Sequence, residues 1–486
     1  MRTLVYGLGE SGIAAARLLM EANEDILLAD KNDNDGLRKS LEDLGAEVIL
    51  GGGLDALTDT DENTPSAENE DHDGSRKPIG KLAAGPEVLE GIGRIVASPG
   101  ISPKDEILAE AEARGIPIVS EAALGLAMLE AETEAGIGRE VRAAAVTGTN
   151  GKTTAVGMLR SILEASAVPH AVAGNSWRAL AGCLDEAREA GVLVLELSSF
   201  QLHYMEGFGF EAAALLNVRP DHMNWHTSFE EYVEDKIRIF AGQSENDLAL
   251  VSAGDEVGAG AAPKLSAETV VVGVGGDAGT VVRDGKLFLR GEEIASEDEL
   301  PFAGIHNHEN ALFAAEMARK LGATLDGVRA GLLGYRLKPH RMEVVVETNG
   351  VLWVDDSKAT NPAATAAALG SFRRPVVLIL GGSEKDTDFV EILPHLDVCR
   401  AVVCQGEAGT RVFDYLKSEG FGEVSFLVDG LSEAVEKSAS LTKEGDAVLL
   451  SPGCASFDAF AGYAERGEAF AEMARNMSAE RGAVGG

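Results

Sequence analysis

The sequence AAAVTGTNGKTT occupies residues 143–154, and its pattern predicts the fold of the middle of the chain. The apolar run 143–146 is typical of a β-strand, the glycines after it are typical of a tight loop, and residues 155–165 predict a helix. In this arrangement backbone N–H groups and the helix N-terminus bind phosphate oxygens. Lys152 would reach the outer phosphates of a nucleotide, and Thr153 would ligate Mg²⁺. The spacing GxxGK[ST] is shorter than that of the common phosphate loop, so a glycine turn with a surface lysine stays an alternative.

A second candidate residue is Glu196, which lies near the C-terminal end of the apolar run 192–197. A nearly continuous apolar run is typical of a parallel strand that is buried on both faces. A buried carboxylate is costly without a partner, and Mg²⁺ beside the phosphate loop is the partner that the chemistry favours. The alternative is a glutamate at a strand end that faces water.

Two histidines follow the next predicted strand, residues 212–218, in the sequence RPDHMNWH. Binding sites of α/β sheets form at strand ends, so we favour a substrate or Mg²⁺ role for His222. A zinc site stays an alternative because two histidines, His222 and His226, lie near an aspartate. No further ligand follows at a spacing that is typical of zinc sites. A helix predicted at 229–240 carries Lys236 among acidic residues, which by itself is typical of a solvated lysine.

The N-terminal sequence TLVYGLGESGIAAARLL predicts a strand, a turn and a helix, with the glycine spacing GxGxxG at residues 7–12. A second predicted strand ends at Asp30. This pattern is typical of a nucleotide-binding turn in which Asp30 holds a ribose. From about residue 55 to 86 the sequence is densely acidic and almost without apolar residues, so we predict a disordered or loosely held insertion there.

Strands and helices are predicted to alternate through the second half of the chain. Short alternating runs at residues 250–300 predict a small β extension, and the helix that follows presents Asn307 and Asn310 on one face. After residue 337 the alternation starts again, which predicts a parallel, doubly wound sheet. The 486 residues are therefore expected to fold as three α/β units in series.

The composition excludes some classes of protein. The chain has 79 acidic and 42 basic residues, a formal net charge of −37. So negative a surface argues against nonspecific binding to nucleic acid or to an anionic membrane, because both need a basic patch. The four cysteines form no CxxC pair, and no apolar run has the length of a signal peptide or a membrane span. We therefore expect a cytoplasmic protein with reduced thiols and no membrane insertion.

Seven separated segments together resemble the Mur ligases, the ATP-dependent amide ligases of peptidoglycan precursor synthesis. They are GTNGKTT, ELSSFQL, DHMNWH, HNHEN, KPHR, DDSKATNP and SPGCASFDAFAGYAERG. They look most like the family members that add D-glutamate to UDP-N-acetylmuramoyl-L-alanine. The resemblance implies a UDP-binding Rossmann-like domain at 1–137, a central phosphate-loop ATP-binding domain at 138–337, and a Rossmann-like amino-acid-binding domain at 338–486. We expect a monomer.

The resemblance also implies roles for individual residues. Lys236 matches the lysine that family members carbamylate, which would make it a ligand of one of two Mg²⁺ ions. The implied metal ligands are Thr153, Glu196, His222 and carbamylated Lys236, and the implied catalytic residues are Lys152, His222, Lys236 and Lys358. The implied ATP contacts are Gly148, Thr149, Asn150, Gly151, Lys152, Thr153, Thr154, Asn307, Asn310, Arg341 and Asp356. The implied UDP-substrate contacts are Ser11, Gly12, Asp30, Ser98, Pro99, Gly100 and Asn175, and the implied D-glutamate contacts are Thr360, Lys385, Ser456, Phe457 and Tyr463.

Two features depart from the family pattern. Because of the acidic insertion, the resemblance does not predict the shape of the UDP-domain edge. Because of the sequence GGSEKDTDF around Lys385, it does not predict the fine specificity for the amino acid. Three other functions stay as alternatives. An NAD-dependent dehydrogenase would explain residues 7–30 but not the phosphate loop, and a folylpolyglutamate synthase would leave the first domain without a role. A non-catalytic UDP-sugar sensor would not need Glu196, His222 and Lys236.

Overall fold

The structure is a computed structural model that describes residues 2–41, 43–51, 79–81, 86–223, 225–276, 279–384 and 388–483. Its strands form three sheets, and most of their paired strands are parallel, which confirms the predicted α/β class. The chain divides into two compact units. The first comprises residues 1–283, 288–294 and 311–332, and the second comprises 284–287, 295–310 and 333–486.

The first sheet has six strands in the order β4-β3-β2-β1-β5-β6, with parallel pairing throughout. The strands are β1 Arg2–Tyr6, β2 Ile26–Asp30, β3 Glu47–Leu50, β4 Ile79–Lys81, β5 Ile92–Ala97 and β6 Ile118–Ser120; the helices are α1 Glu10–Glu21, α2 Asp35–Leu41, α3 Glu106–Ala113 and α4 Glu121–Glu134. β2 and β5 lie on opposite sides of β1, so the strand order reverses there. In such sheets ligands bind at the carboxyl ends of the strands beside this reversal.

Strand β4 lies inside the segment that was predicted to be disordered or loosely held. It pairs in parallel with β3, with Ile79 opposite Val48, so the prediction was wrong for residues 79–81. An open strand edge offers unpaired backbone N–H and C=O groups, and three residues can bind it whatever the polarity of their neighbours. Residues 52–78 and 82–85 lie outside the described residues.

The second sheet has nine strands in the order β15-β14-β13-β12-β11-β10-β7-β9-β8. The strands are β7 Arg142–Thr147, β8 Ala171–Gly174, β9 Val192–Glu196, β10 Ala212–Leu215, β11 Leu248–Ser252, β12 Glu268–Val274, β13 Val281–Arg283, β14 Lys286–Leu289 and β15 Glu292–Ser296. The helices are α5 Lys152–Ala165, α6 Leu184–Ala190, α7 Ser199–His203, α8 Phe229–Ile237, α9 Glu256–Ala261, α10 Ile305–Lys320 and α11 Leu325–Gly334. The predicted β extension is present as β12 to β15. The helix predicted at 229–240 ends at Ile237, and a 3₁₀ turn, Arg238–Phe240, continues it.

β7 lies inside the second sheet, between β9 and β10. All five residues of β9 are buried, as its continuous apolar sequence predicts for a strand covered on both faces. The three parallel strands β7, β9 and β10 end at the same edge. The phosphate-loop sequence, Glu196 and the segment that carries His222 are therefore brought to one edge of this sheet.

The third sheet has six strands in the order β16-β17-β21-β18-β19-β20. The strands are β16 Glu343–Thr348, β17 Val351–Asp355, β18 Val376–Gly381, β19 Cys399–Gln405, β20 Ser425–Leu427 and β21 Ala447–Leu450; the helices are α12 Pro362–Leu369, α13 Gly409–Ser418, α14 Leu431–Leu441 and α15 Tyr463–Ala483. The predicted parallel sheet is confirmed except at the edge strand β16, which runs antiparallel to β17. In the described parts of the chain, no helix has both the length and the apolar character that a membrane crossing requires.

Candidate active site

The loop between β7 and α5 has the geometry of a phosphate-binding loop. Gly148 and Gly151 have φ angles of +153° and +88°, and α5 begins at Lys152. A Cβ atom on Gly148 would lie 3.1 Å from Leu216 Cβ and 3.3 Å from the Asn217 carbonyl oxygen, so a side chain at this position would be tightly packed against the neighbouring strand end. Residue types other than glycine rarely adopt these φ values, which explains the glycine spacing seen in the sequence.

Asn217 holds the phosphate loop in place from the neighbouring strand end. Its backbone carbonyl accepts a hydrogen bond from the Thr149 N–H, at 2.8 Å, and its side-chain Oδ1 accepts one from the Asn150 N–H, at 2.9 Å. Its Nδ2 group donates to the Asn150 carbonyl oxygen, at 3.1 Å. Three hydrogen bonds from one residue fix the loop before any ligand binds, which lowers the entropy cost of binding.

Two lysine side chains meet at one carbonyl oxygen of the loop. Lys152 Nζ donates to the Gly148 oxygen at 2.8 Å, and Lys236 Nζ donates to the same oxygen at 2.9 Å. The side chain of Lys236 is buried, with 2% of its surface exposed. Burial first and the nearby Lys152 charge second lower the pKa of Lys236 well below its ordinary value. The acidic neighbours of Lys236 in the sequence suggested a solvated lysine. The structure shows that this interpretation was wrong, because the side chain is buried.

The carboxylate of Glu196 is fully buried and accepts hydrogen bonds from four side chains. Its Oε1 atom accepts from Thr153 Oγ1 at 3.2 Å, Asn175 Nδ2 at 3.0 Å and Ser176 Oγ at 2.9 Å, and its Oε2 atom accepts from Trp177 Nε1 at 2.9 Å. These four donors carry no formal charge, so they leave the negative charge of the carboxylate uncompensated. A buried anionic oxygen beside a hydroxyl group fits the oxygen donor set that Mg²⁺ prefers.

His222 lies in the segment after β10, and about half of its side chain is exposed. Its φ angle is +60°, and its ring contacts Phe200 edge-on, with the ring centroids 4.9 Å apart. Phe200 follows Glu196 by four residues, so this contact places His222 beside the segment that carries the buried carboxylate. His226 is fully buried, with Nε2 3.0 Å from Ser199 Oγ and Nδ1 3.4 Å from Asp235 Oδ2. Among the described residues, the group of His, Cys, Asp and Glu side chains that lie close enough to share a metal ion includes neither His222 nor His226.

The predicted UDP-contact residues of the first sheet lie close together. A Cβ on Gly12 would lie 1.9 Å from the Gly7 carbonyl oxygen, and a Cβ on Gly7 would lie 2.6 Å from Ser98 Cβ. Asp30 Oδ2 accepts a hydrogen bond from the Leu8 N–H at 2.6 Å. The glycine turn, Asp30 and the 98–100 turn thus meet beside the strand reversal at β1. Ser11 and Pro99 are half-buried there, and Gly100 is exposed.

In the second unit, Asp356 follows β17 directly and is buried. Its Oδ1 atom accepts a hydrogen bond from the Met342 N–H at 3.2 Å, and its Oδ2 atom accepts one from Ser451 Oγ at 2.8 Å. Burial raises the pKa of Asp356 from 3.8 to about 7. Asn307 and Asn310 are buried in the first turns of α10, and Arg341, next to Met342, is half-buried.

The residues predicted to bind D-glutamate follow the strands of the third sheet. Lys358 Nζ lies 4.1 Å from the centroid of the Tyr463 ring, which is a cation–π contact. Thr360 is half-buried, Ser456 is buried, and the ring of Phe457 is 76% exposed. Lys385 lies outside the described residues, so its placement stays a prediction.

Arg466 is a residue of this region to which the sequence analysis gave no role. It is buried, and it donates hydrogen bonds to the hydroxyl and carbonyl oxygens of Ser357 and to the carbonyl oxygens of Cys454 and Ala455. Burial lowers its pKa to about 10. Arg466 therefore joins the segment before Lys358 to the segment before Ser456. Its position inside the quoted sequence GYAERG was the available signal.

Tyr232, Trp177 and Asn217 are further residues of the first unit that the sequence analysis missed. Tyr232 is buried; its hydroxyl hydrogen-bonds Thr149 Oγ1 at 2.9 Å, and its ring lies 4.6 Å from Lys236 Nζ. Tyr232 precedes Lys236 by four residues on α8, a spacing that places both side chains on one face. This spacing was a usable signal, whereas nothing local to Trp177 or Asn217 indicated their partners.

A phosphate loop with a buried carboxylate and a buried lysine beside it, in a chain with three α/β sheets, defines the class of nucleotide-dependent α/β enzymes. Two family models match the chain: the Mur ligase middle domain at residues 146–318, and the Mur ligase glutamate ligase domain at residues 340–454. The chain belongs to the Mur ligase family.

The relatives of the chain extend over its whole length. A UDP-N-acetylmuramoylalanine--D-glutamate ligase of Rubrobacter xylanophilus is 58% identical over 482 residues, which cover 99% of this chain and 100% of the relative. Among solved structures, the UDP-N-acetylmuramate-alanine ligase of Thermotoga maritima has a TM-score of 0.56 at 17% identity and covers 98% of this chain and 99% of its own. The MurF ligase of the same organism, solved in complex with ADP, has a TM-score of 0.53 at 20% identity and covers 81% of this chain and 91% of its own. The two structures support the three-sheet fold.

Asp356→Asn should stabilise the protein at high pH. Because the pKa of Asp356 rises from 3.8 to about 7 on folding, the folded chain keeps this proton where the unfolded chain has lost it. The free energy of unfolding therefore falls as pH rises from about 4 to 7. Asparagine removes this effect; its Oδ1 atom can still accept from the Met342 N–H, and its Nδ2 group can donate to Ser451 Oγ, which reverses that hydrogen bond. We therefore expect a gain that grows with pH and reaches up to about 4 kcal/mol at pH 8.

Urea denaturation of both proteins between pH 5 and pH 8 measures this gain. Asp446→Asn is the matched control: burial raises the pKa of Asp446, but hydrogen bonds from Arg400 lower it more, so the net pKa is below its ordinary value. The control should therefore lose stability in this range. An Asp356→Asn gain that is the same at pH 5 and pH 8 would contradict the raised pKa.

Proposed function

We propose that this chain joins D-glutamate to UDP-N-acetylmuramoyl-L-alanine at the expense of ATP, with ADP and phosphate as the other products. It is an ADP-forming amide ligase of peptidoglycan precursor synthesis. The observation that carries this conclusion is the 58% identity, over the full length of both chains, to a ligase of that name. The intact phosphate loop, with Lys152 on the Gly148 oxygen and Glu196 buried beside Thr153, provides the site that the reaction needs.

The chemistry explains why cationic groups gather at the loop. A carboxylate oxygen of the UDP-sugar substrate attacks the γ-phosphorus of ATP, the bond to ADP breaks, and an acyl phosphate forms. The amine nitrogen of D-glutamate then attacks the acyl carbon, loses a proton, and phosphate leaves. Both steps bring several anions together, and Lys152 offsets part of their charge in the first step.

Mg²⁺ is the metal that the site fits, because Glu196 offers a buried anionic oxygen beside the Thr153 hydroxyl. When bound, the metal supplies charge neutralisation at the phosphate oxygens. We assign Thr153, Glu196, His222 and carbamylated Lys236 as the ligands of two ions. Carbamylation requires a neutral amine, which attacks CO₂ and releases a proton. The lowered pKa of Lys236 supports this assignment, since a buried lysine of this kind is readily deprotonated.

The remaining contacts belong to the same proposal. The turn at Gly12, Asp30 and residues 98–100 would hold the UDP moiety, and Asn175 would lie near the reacting carboxylate. ATP would contact residues 148–154 and four further residues, Asn307, Asn310, Arg341 and Asp356. D-glutamate would contact Lys358, Thr360, Lys385, Ser456, Phe457 and Tyr463. The matches at 146–318 and 340–454 support domain boundaries near residues 137 and 337.

We also propose a cytoplasmic monomer. The four cysteines are free thiols, and thiols of this kind are typical of a reducing compartment. Size-exclusion chromatography with light scattering would give a mass near 50.8 kDa for a monomer. A mass of twice this value at micromolar protein would contradict the monomer.

Release of ADP tests the function directly. The purified chain is mixed with ATP, Mg²⁺ and UDP-N-acetylmuramoyl-L-alanine and then with D-glutamate, L-glutamate, L-lysine or D-aspartate in turn. We expect ADP release that depends on the UDP-sugar and is fastest with D-glutamate. Release that is fastest with another amino acid, or that requires a folate in place of the UDP-sugar, would overturn the proposal.

A further inference from the structure

Three segments of the first unit each carry one of the proposed metal ligands and also one member of a buried polar network. Ser199 begins α7, three residues after Glu196. His226 follows His222 by four residues. Asp235 precedes Lys236 directly on α8.

Asp235 is the centre of the network. Its Oδ2 atom lies 2.8 Å from His203 Nδ1 and 3.4 Å from His226 Nδ1. The other ring nitrogen of His226, Nε2, lies 3.0 Å from Ser199 Oγ. Arg238 adds to it from the end of α8: its Nε lies 3.4 Å from Asp235 Oδ1, and its Nη1 donates to the His203 carbonyl oxygen at 2.6 Å. The network thus joins all three ligand-bearing segments.

The order Ser199, His226, Asp235 resembles the triad of a hydrolase, but burial excludes that function. Ser199 is 2% exposed, and His226 and Asp235 are completely buried. A nucleophile must meet a substrate, and no substrate reaches a serine that is closed off in this way. The arrangement is therefore a scaffold and not a second catalytic centre.

A buried carboxylate is normally unfavourable, and here its partners compensate for its burial. Asp235 has three such partners: His203 Nδ1 lies 2.8 Å from its Oδ2 atom, His226 Nδ1 lies 3.4 Å from the same atom, and Arg238 Nε lies 3.4 Å from its Oδ1 atom. Removing one partner of such a group leaves the other buried and unpaired, which is costly. The network therefore resists displacement of any of its three segments.

We propose that Asp235, with His226, Ser199 and His203, positions Glu196, His222 and Lys236 for metal binding. The inference rests on the proposed function, since it takes those three residues to be the ligands. Outer groups that orient metal ligands typically contribute 10- to 100-fold in metal affinity. Asp235 also limits the motion of the adjacent Lys236, so we infer that it helps to hold that side chain in the orientation of the carbamate.

The test measures metal binding without turnover. Mn²⁺ serves as the probe and is titrated in the presence of ADP, with free Mn²⁺ measured by electron paramagnetic resonance. The lysine carbamate is measured by ¹³C NMR after equilibration with ¹³C-bicarbonate. We expect Asp235→Asn to weaken Mn²⁺ binding about tenfold and to reduce the carbamate signal. Asp446→Asn, which removes the charge of a buried carboxylate that pairs with Arg400 in the second unit, should lower the melting temperature and leave Mn²⁺ binding unchanged.

Each outcome bears on the inference. The inference would be overturned if folded Asp235→Asn bound Mn²⁺ as tightly as the wild type. It would also be overturned if Asp235→Asn and Asp446→Asn weakened Mn²⁺ binding equally at equal losses of melting temperature. If Asp235→Asn does not fold, Ser199→Ala removes only the bond to His226, and an affinity equal to that of wild type would then refute the network. If the wild-type chain binds Mn²⁺ and releases ADP, and the variants bind Mn²⁺ as tightly as the wild type, the role of the network is refuted and the proposed function is not. A wild type that does neither refutes the proposed function as well.

Discussion

Replacing Lys152 with alanine is expected to reduce ADP release by at least about a hundredfold while binding of the UDP-sugar changes little. Lys152 is the first residue of α5, and its Nζ contacts the carbonyl oxygens of Gly148 and Thr149, so it lies on the loop itself. A preorganised group that stabilises charge in the transition state typically contributes about 3 kcal/mol, which is about two orders of magnitude in rate. Apart from Asn175, the residues expected to contact UDP lie at the first sheet, whereas Lys152 follows β7 of the second, so we expect them to keep their structure in the variant.

The measurement combines two assays on one protein preparation. Coupled ADP release gives the rate, and calorimetric titration with UDP-N-acetylmuramoyl-L-alanine in the absence of ATP gives the substrate affinity. Lys264→Ala is the control for loss of a positive charge, because Lys264 is exposed and lies in the same unit. If Lys152→Ala retained more than a tenth of wild-type turnover, residues 148–154 would not be the loop that binds the transferred phosphate.

Replacing Lys236 with alanine should abolish most of the activity, and short carboxylates should restore part of it. A carbamylated lysine presents an anionic oxygen at the end of a long side chain. Alanine leaves a cavity in a site where the lysine is 2% exposed, and formate, acetate or propionate would supply the missing oxygen there. We expect a loss of at least about a hundredfold and a rate that rises with carboxylate concentration to a plateau.

The rescue experiment separates a carbamate from a simple ammonium. If Lys236 acted through positive charge, methylamine would restore activity and acetate would not. Lys152→Ala is the matched variant, because its ammonium also binds the Gly148 oxygen and has no expected carbamate. It should gain nothing from carboxylates. Lack of rescue by all three carboxylates, in a variant that still folds, would count against carbamylation of Lys236.

The two lysines show how far local patterns predict a site. The predicted strand, loop and helix start around Lys152 are present because GxxGK[ST] is a local pattern: strand, positive-φ glycines and helix start all lie within a dozen residues. From its sequence neighbours alone, Lys236 was predicted to be solvated. Only the resemblance to a family assigned it a functional role. Its burial comes from Gly148 and Tyr232, and Gly148 is 88 residues away in the chain.

The amino-acid pattern was enough to predict the α/β class, the alternation of strands and helices, the glycine-rich loop and the buried acid of β9. These follow from apolar periodicity and from the φ angles that glycine alone adopts readily, and both are properties of short segments. That β4 adds to the first sheet and that Asp235 contacts two histidines became evident only in the folded chain. The same is true of the burial of Arg466 between two loop segments. Each of these depends on partners tens of residues apart, which the pattern of one segment does not specify.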